Sequence, residues 1–311
     1  MNLNIMPINI TIPNDVINMN LSPTSLLSNI KENLLVISWN IEDFTMKDKL
    51  YSSSFLSTLR KQDIILLQEW KKNDGEEFIE KLNELSHNKY KFIGIFTDRV
   101  AVIFKSSNLN NLNNFNVKKT KAYNIKLEYE KPTYAEQTYT KGRQKSNILV
   151  ILYPYDRKPL CIISFHLSAY LPSSHPGFHS KQLKSLIKSA VKQIKDDGIH
   201  DYDLIVGGDT NYRRTNKNFN ITHLNNYLLN NLINKYKLKN VCEDKCNKKT
   251  TQTFKCVHEK SLDKSLIWSF SKLFNESRLD LILTNIPIID TSIRSMCDFS
   301  DHSAILTELM W

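Results

Sequence analysis

The chain has few of the residues that mark irregular or extracellular proteins: among 311 residues there are 7 glycines, 9 prolines and 5 cysteines. This scarcity of glycine and proline excludes collagen-like and low-complexity architectures, and no segment has the composition of a linker between domains. No apolar run approaches the ~20 residues that a spanning helix needs, so we expect no membrane span. Five cysteines at irregular spacing are typical of reduced thiols, which predicts an intracellular protein, cytoplasmic or nuclear.

The N-terminal segment is also poor in charge and in compact apolar sequence. Its first basic residue is Lys31, and no apolar block ends in small residues, so the segment does not read as a secretory signal. We interpret residues 1–33 as a polar, asparagine-rich arm that is poorly ordered. Over the whole chain 41% of the residues are hydrophobic, which is enough for a buried core. We expect residues 34–311 to form a single domain.

Acidic residues are outnumbered by basic ones. Lys and Arg number 42 against 32 Asp and Glu, which gives a formal charge of +10. Such a balance favours an anionic partner, such as nucleic acid, a phosphorylated small molecule or an acidic membrane face. Because most of the positive residues are lysines scattered through the chain, a purely solubilising surface charge is the alternative.

Short runs rich in Val, Ile and Leu predict buried strands. They are Leu34 to Trp39, Ile64 to Leu67, Phe92 to Phe96, Val100 to Phe104, Ile148 to Tyr153, Cys161 to Phe165, Leu204 to Val206 and Leu281 to Leu283. Helical spacing of apolar residues occurs between them, in Phe78 to Leu85, Gln182 to Ile194 and Leu224 to Tyr236. This alternation predicts an α/β layered fold, with sheets packed face to face and helices outside. The long, polar and weakly periodic stretch from Lys105 to Ser146 is expected to contain an excursion or loop over one face of the core.

Polar side chains end several of these predicted strands. They are Asn40, Glu69, His166, Asp209 and Asn211, while Asp280 begins a strand and Asp301 and His302 precede an apolar run. Each of them alone is more often a cap, a surface acid or a satisfied histidine. Together, so many charged groups beside a core are costly unless a cation or an ionised substrate compensates them. Oxygen ligands suit Mg²⁺ or Mn²⁺, so the sequence predicts a magnesium-type phosphate site.

These motifs stand in the order found in a known superfamily. WNIE, LLQEW, FHLS, GGDTNYR, RLDLIL and SDHSAIL resemble the endonuclease/exonuclease/phosphatase superfamily, which includes deoxyribonuclease I, apurinic endonucleases, tyrosyl-DNA phosphodiesterases and inositol 5-phosphatases. The resemblance covers residues 34–311. It implies a four-layer α/β (α+β) sandwich, in which two packed mixed β-sheets are flanked by helices and the catalytic site lies at one end of the sheets.

The resemblance also implies roles for individual residues. Glu69 would be the main ligand of Mg²⁺ or Mn²⁺, with Asn40 beside it and Asp301 completing the coordination. Asp209 would orient or deprotonate the attacking water, and Asn211 would donate a hydrogen bond to a phosphate oxygen. His302, oriented by Asp280, would contact the scissile phosphate or act as a base, and His166 would donate to phosphate or to the leaving oxygen.

Further basic residues suit an anionic substrate. Arg213, Tyr212 and Arg278 flank the predicted site in sequence, and we assign them to substrate binding. Lys181 and Lys184, on the predicted helix after FHLS, suit a nucleic-acid backbone or a lipid headgroup. GDTN followed by an aromatic residue and Arg resembles the tyrosyl-DNA phosphodiesterase pattern, whereas NYR also resembles the 5-phosphatases.

The sequence therefore predicts a divalent-metal-dependent hydrolase of phosphate esters, with nucleic acid or a DNA-linked adduct as the favoured substrate because of the +10 charge. An inositol-polyphosphate phosphatase and a non-catalytic nucleic-acid-binding protein on the same fold are the alternatives. Cys242, Cys246, Cys256 and His258 could bind zinc, but their spacing matches no standard finger pattern, and unpaired thiols are the favoured interpretation.

Overall fold

The structure is a computed structural model, and it describes twelve stretches of the chain. They are residues 33–41, 52–70, 75–87, 90–106, 117–127, 147–155, 157–167, 178–211, 229–244, 280–294, 300 and 302–311. The predicted N-terminal arm therefore lies outside the described residues, apart from Asn33, which begins the first strand.

Two six-stranded mixed sheets form the centre of the molecule. The first, in spatial order, contains β11 (Ile288–Arg294), β12 (Ala304–Met310), β1 (Asn33–Asn40), β2 (Ile64–Gln68), β4 (Val100–Ser106) and β3 (Lys91–Phe96). Its central pair, β1 and β2, is parallel, and the other neighbours are antiparallel. The parallel pair brings the carboxyl ends of two strands, at Asn40 and Gln68, to one edge of the sheet.

The second sheet repeats this plan. Its spatial order is β5 (Val117–Asn124), β6 (Asn147–Pro154), β7 (Leu160–His166), β8 (Asp203–Asp209), β10 (Asp280–Thr284) and β9 (Lys239–Asn240). β7 and β8 are parallel, so His166 and Asp209 end side by side. β10 is antiparallel to β8 and places its first residue, Asp280, opposite Asp209.

Helices cover the outer faces of both sheets. They are α1 (Ser53–Leu59) and α2 (Gly75–Ser86) on the first sheet and α3 (Phe178–Asp196) on the second, where residues 229–236 are helical as well. A short helix, α4 (Val241–Asp244), instead contributes Val241 and Cys242 to the apolar cluster between the sheets. Apolar residues of α3 at helical spacing, from Leu183 to Ile194, pack on the second sheet. In the part of the chain that the structure describes, no helix is long and apolar enough to cross a membrane.

Three apolar clusters define the layers. One joins residues of both sheets, such as Val36, Leu66, Ile162 and Ile205, and fills the space between them. The other two join each sheet to its own helices. The predicted four-layer α/β sandwich of two mixed sheets flanked by helices is confirmed.

The close approach of β8 to the neighbouring strand β7 and to the opposite sheet depends on a glycine pair in β8. A Cβ atom at Gly208 would lie 2.0 Å from the carbonyl oxygen of Phe165, on the neighbouring strand, and one at Gly207 would lie 2.5 Å from Leu66 Cδ1, on the opposite sheet. Backbone atoms cannot yield as a flexible side chain can. The pair therefore lets β8 approach both neighbours just before it delivers Asp209.

One strand was not predicted from the sequence. It is β5, which lies within the stretch from Lys105 to Ser146, where an excursion or loop was expected, and it pairs with β6 along its length. β5 is an edge strand with exposed lysines, so only Val117, Ala122 and Tyr123 of its eight residues are buried, and its sequence lacks an apolar run. Lysine at sheet edges is a common protection against aggregation, and it masks the strand pattern.

Candidate active site

The polar residues that end the strands meet at one edge of the two sheets. Asn40 ends β1, Glu69 follows β2, His166 and Asp209 end β7 and β8, and Asp280 begins β10. Because both parallel pairs point to this edge and β10 runs back from it, residues far apart in sequence become neighbours. All of them except Glu69 are at least nine-tenths buried.

Asn40 joins two acidic side chains from different sheets. Its Nδ2 donates to Asp209 Oδ2 at 2.9 Å and to Glu69 Oε1 at 3.2 Å. His166 Nε2 lies 3.4 Å from Glu69 Oε1 and 3.7 Å from Asp209 Oδ2. Glu69, His166 and Asp209 thus offer ligand atoms that all lie within 4.8 Å of one another.

A histidine and a carboxylate form a second group around the same aspartate. His302 Nδ1 lies 2.8 Å from Asp280 Oδ2. Ligand atoms of Asp209, Asp280 and His302 also lie within 4.8 Å of one another, so Asp209 belongs to both groups. The carboxylate of Asp280 thus orients the imidazole of His302 through Nδ1.

The segment that carries His302 is tied to β1 by hydrogen bonds. Ser300 Oγ donates to the carbonyl of Asn40 at 2.6 Å and accepts from the backbone N–H of His302 at 3.0 Å. Trp39 Nε1 donates to the carbonyl of His302 at 3.0 Å. Ser300 and Trp39 were not among the predicted site residues. Ser300 stands two residues before a histidine, a spacing at which serine often bonds the backbone, and this signal could have singled it out.

Two site residues have left-handed backbone conformations that are uncommon outside glycine. Glu69 has φ 58° and Asn211 has φ 51°. Asn211 closes a tight turn, since its N–H donates to Asp209 Oδ1 at 2.6 Å and its Nδ2 to the carbonyl of Leu167 at 2.8 Å. Such conformations cost on the order of 1–3 kcal/mol and cluster at functional sites. Here they direct a carboxylate and an amide to the sheet edge.

Burial strongly disfavours the charged form of the central aspartate. Complete burial, together with the negative charge of Asp280, raises the pKa of Asp209 from the ordinary 3.8 to about 7. His302, the N–H of Asn211 and the amide of Asn40 act in the opposite direction, but they do not offset burial. A bound cation would favour the ionised form of the same group.

The donor set fits a hard divalent cation. It combines carboxylate oxygens of Glu69, Asp209 and Asp280 with the imidazoles of His166 and His302 and the side chain of Asn40. One neutral amide donor does not compensate several carboxylates in a buried cluster, and a cation would do so. Oxygen-rich sets of this kind suit Mg²⁺ or Mn²⁺ better than zinc.

Some predicted residues lie outside the described part of the chain. They are Asp301, Tyr212, Arg213 and Arg278, together with Cys246, Cys256 and His258 of the possible zinc cluster. Cys242 is described and is buried, and it forms no disulfide with another described residue. Of the predicted catalytic and metal-binding residues, the structure brings together Asn40, Glu69, His166, Asp209, Asn211, Asp280 and His302.

Neither a protein-family model nor a curated protein sequence matches the chain. Solved structures do match. TDP2 from D. rerio, complexed with single strand DNA product, aligns over 89% of this chain and 98% of its own, at 16% identity and a TM-score of 0.54. An endonuclease/exonuclease/phosphatase family protein from Leptotrichia buccalis aligns over 89% and 100%, at 14% identity and a TM-score of 0.53.

The chain has the endonuclease/exonuclease/phosphatase fold. The human Nocturnin catalytic domain, with a bound sulfate anion, matches over 89% of this chain and 93% of its own, at 16% identity and a TM-score of 0.53. Nearly the full length of each of these proteins is covered. The predicted resemblance is therefore confirmed at the level of the fold.

Proposed function

We propose that the protein is a divalent-metal-dependent phosphodiesterase that hydrolyses phosphodiester bonds in nucleic acid or in DNA-linked adducts. The observation that carries the proposal is the buried cluster in which Asp209 belongs to two groups of possible metal ligands, Glu69 with His166 and Asp280 with His302. Burying charged groups of this kind lowers the stability of the fold. A role in metal-assisted hydrolysis of a phosphate ester would explain why the chain has them.

Glu69 and Asn40, with Asp301, would hold Mg²⁺ or Mn²⁺. When bound, such an ion supplies positive charge that stabilises the developing charge on phosphorus-bound oxygens. The remaining steps fall to the side chains. A water oxygen forms a bond to phosphorus, and Asp209 accepts the proton of that water. Beside a bound cation Asp209 would be ionised, and its carboxylate could then take up that proton.

The leaving oxygen needs a proton as its bond to phosphorus breaks. His166, within 3.4–3.7 Å of Glu69 and Asp209, is assigned to donate it. His302 would contact the phosphate through Nε2, because its Nδ1 is held by Asp280. One N–H of the Asn211 side-chain amide donates to the carbonyl oxygen of Leu167, and the second N–H would donate to a phosphate oxygen.

Nucleic acid is the favoured substrate class. The formal charge of +10 suits a polyanion. Among the proteins of similar fold, TDP2 was solved with a single strand DNA product, and ANGEL2 is a 2′,3′-cyclic phosphatase solved with adenosine-2′,3′-vanadate, which supports the same class. Arg213, Tyr212 and Arg278 are assigned to substrate binding on their sequence positions.

The test is hydrolysis by the purified full chain in Mg²⁺, Mn²⁺ or EDTA. The panel contains abasic duplex DNA, plain DNA, RNA, 5′-phosphotyrosyl DNA and inositol polyphosphates. Asp209→Asn removes the shared carboxylate, and Asp290→Asn, a matched change on the exposed edge strand β11, is the control. Metal-dependent cleavage of a nucleic-acid member, lost in Asp209→Asn alone, is expected.

Two outcomes would contradict the proposal. Release of phosphate from inositol polyphosphates alone would indicate a phosphatase. Tight binding of nucleic acid with no turnover in any metal would indicate a non-catalytic binding protein on this fold.

A further inference from the structure

The outer face of α3 carries a row of five exposed lysines. They are Lys181, Lys184, Lys188, Lys192 and Lys195, and we call them the lysine face. Their spacing of three or four residues places them one above the other on the same side of the helix. The opposite side, from Leu183 to Ile194, is buried against the second sheet, so the lysine face is fixed in its orientation.

The first part of α3 lies at the edge where the candidate active site forms. The helix connects β7 to the parallel β8, so it runs back from the edge that holds His166 and Asp209. Just after its last turn, Asp197 contacts Tyr123 and Lys121, and Lys121 pairs with Ile151 of β6, four residues from the site edge at Asn147.

The length of the helix fixes where its lysines lie. Four strand residues span about 13 Å, whereas 19 helical residues span about 28 Å. A helix of this length that runs alongside the strands reaches the edge and passes it. At about 1.5 Å per residue, this places Lys188 near the level of the edge, Lys184 and Lys181 beyond it, and Lys192 and Lys195 short of it.

Acidic counter-charges are confined to the other end of the helix. Asp196 is the only acidic residue of α3, and its Oδ2 lies 2.8 Å from Lys192 Nζ. Asp197 lies 3.2 Å from Lys121. Lys181 and Lys184 make no ion pair or hydrogen bond with any other described residue. Among the described residues, Lys181 and Lys184 therefore have no acidic counter-charge.

Helix energetics oppose a lysine in the first turn. The helix dipole puts positive charge at the N-terminus and favours acidic residues there, yet α3 has none in its first turn and has Lys181 instead. An anionic partner along this half of the helix would relieve the repulsion.

We infer that Lys181, Lys184 and Lys188 form a track that binds the phosphodiester backbone of a nucleic-acid strand as it leaves the active site. The inference rests on the proposed function, since it names where the substrate extends beyond the scissile bond. Lysines at helical spacing contact phosphates without reading bases, so the track favours long substrates over short ones with little sequence preference.

An acidic membrane surface is a poorer match for this face. Helices that lie on membranes insert an apolar face beside their cationic one. The apolar face of α3 is already buried on the second sheet, and the exposed face offers a single row of charges.

The experiment compares one variant and one control on two substrates. The variant is Lys181→Gln/Lys184→Gln/Lys188→Gln. The control, Lys61→Gln/Lys91→Gln/Lys237→Gln, removes the same charge from exposed lysines near the opposite ends of the strands. The substrates are a 30-nucleotide single strand and the p-nitrophenyl ester of thymidine 5′-phosphate. Fluorescence anisotropy in EDTA measures binding of the 30-mer against salt concentration, and vesicles containing phosphatidylserine are a separate arm.

For the variant we expect KM for the 30-mer to rise roughly tenfold, while KM for the short ester does not change. The slope of log affinity against log salt concentration should become shallower by about 2, because each lost phosphate contact on a single strand contributes about 0.7. Equal effects of variant and control, equal effects on both substrates, or lost vesicle binding with unchanged 30-mer binding would overturn the inference. If the wild-type chain hydrolyses neither substrate, the proposed function fails, while the anisotropy slopes still decide whether the lysines bind the strand.

Discussion

His302 Nδ1 lies 2.8 Å from Asp280 Oδ2, and both side chains are buried in the same cluster as Asp209. The carboxylate fixes the ring orientation and, by accepting from Nδ1, selects the form of the imidazole that presents Nε2 to a substrate. A phosphate group at the site would therefore meet a histidine that does not need to reorient.

Replacing Asp280 by Asn should uncouple this pair. An amide can hydrogen-bond the ring but does not stabilise the imidazolium, so we expect kcat to fall roughly 100-fold. The measurement is kcat on the best substrate of the panel. Asp290→Asn should leave the rate unchanged, and an unchanged kcat in Asp280→Asn would contradict the pairing.

Asp209→Asn should abolish turnover and stabilise the metal-free fold in a pH-dependent way. Because burial raises the pKa of Asp209 to about 7, the folded chain keeps a proton between about pH 4 and 7 that the unfolded chain has lost. Wild-type stability from this group therefore falls as pH rises through that window, and the penalty is complete above pH 7. An asparagine cannot ionise and avoids it.

We expect Asp209→Asn to exceed the wild type by up to about 4 kcal/mol in free energy of unfolding at pH 8, and by almost nothing near pH 4. Urea denaturation in EDTA across this range measures the difference. A stability gap that does not change with pH would show that Asp209 is not the titrating group.

The apolar centre of the fold was predictable because central strands are buried on both faces. β2 is a run of Ile and Leu and β7 a mostly apolar run, and both were predicted nearly to their ends. The edge strands β5 and β11 were not predicted, since only three of the eight residues of β5 and only Thr291 of β11 are buried. A strand with one solvated edge needs few apolar residues, and its sequence resembles a loop.

The site was predictable in its residue types but not in its contacts. Polar residues at strand ends identified Asn40 and Asp209 as candidates, yet their hydrogen bond joins positions 169 residues apart. That contact follows from how two sheets pack, which no local pattern encodes. Ser300 was missed because its role is a pair of backbone hydrogen bonds, for which its position two residues before His302 is the one local signal in the sequence.

Gly208→Ala should destabilise the fold through a steric clash. Its Cβ would lie 2.0 Å from the carbonyl oxygen of Phe165, and strand β8 cannot move away without losing its pairing to β7. Overpacking of this kind costs about 1–3 kcal/mol or more. Gly198→Ala is the control: its φ of 79° carries a backbone cost of about 1 kcal/mol, but nothing lies within 4 Å of the new atom. Thermal unfolding compares the two, and equal losses would contradict the steric explanation.

Ser300→Ala should loosen the segment that carries His302. The Ser300 hydroxyl donates to the carbonyl of Asn40 and accepts from the backbone N–H of His302. The change removes both of these hydrogen bonds from buried backbone groups. We expect a loss of about 1–3 kcal/mol in stability and a larger fall in kcat than in affinity for substrate. Ser57→Ala, which removes an exposed hydrogen bond of α1, should change neither. Unaltered kcat in Ser300→Ala would mean that the segment is positioned by Trp39 alone.

Metal binding should stabilise the protein through Glu69 and should become stronger as Asp209 ionises. At a Mg²⁺ or Mn²⁺ concentration 100 times the Kd, binding adds about 2.7 kcal/mol to the free energy of unfolding. The gain should be larger at pH 8 than at pH 6, because protonation of Asp209 competes with the cation. Glu69→Gln should remove most of this gain, whereas Glu84→Gln, on the exposed face of α2, should keep it. Thermal unfolding with and without EDTA measures the shift, and an equal gain in both variants would place the cation elsewhere.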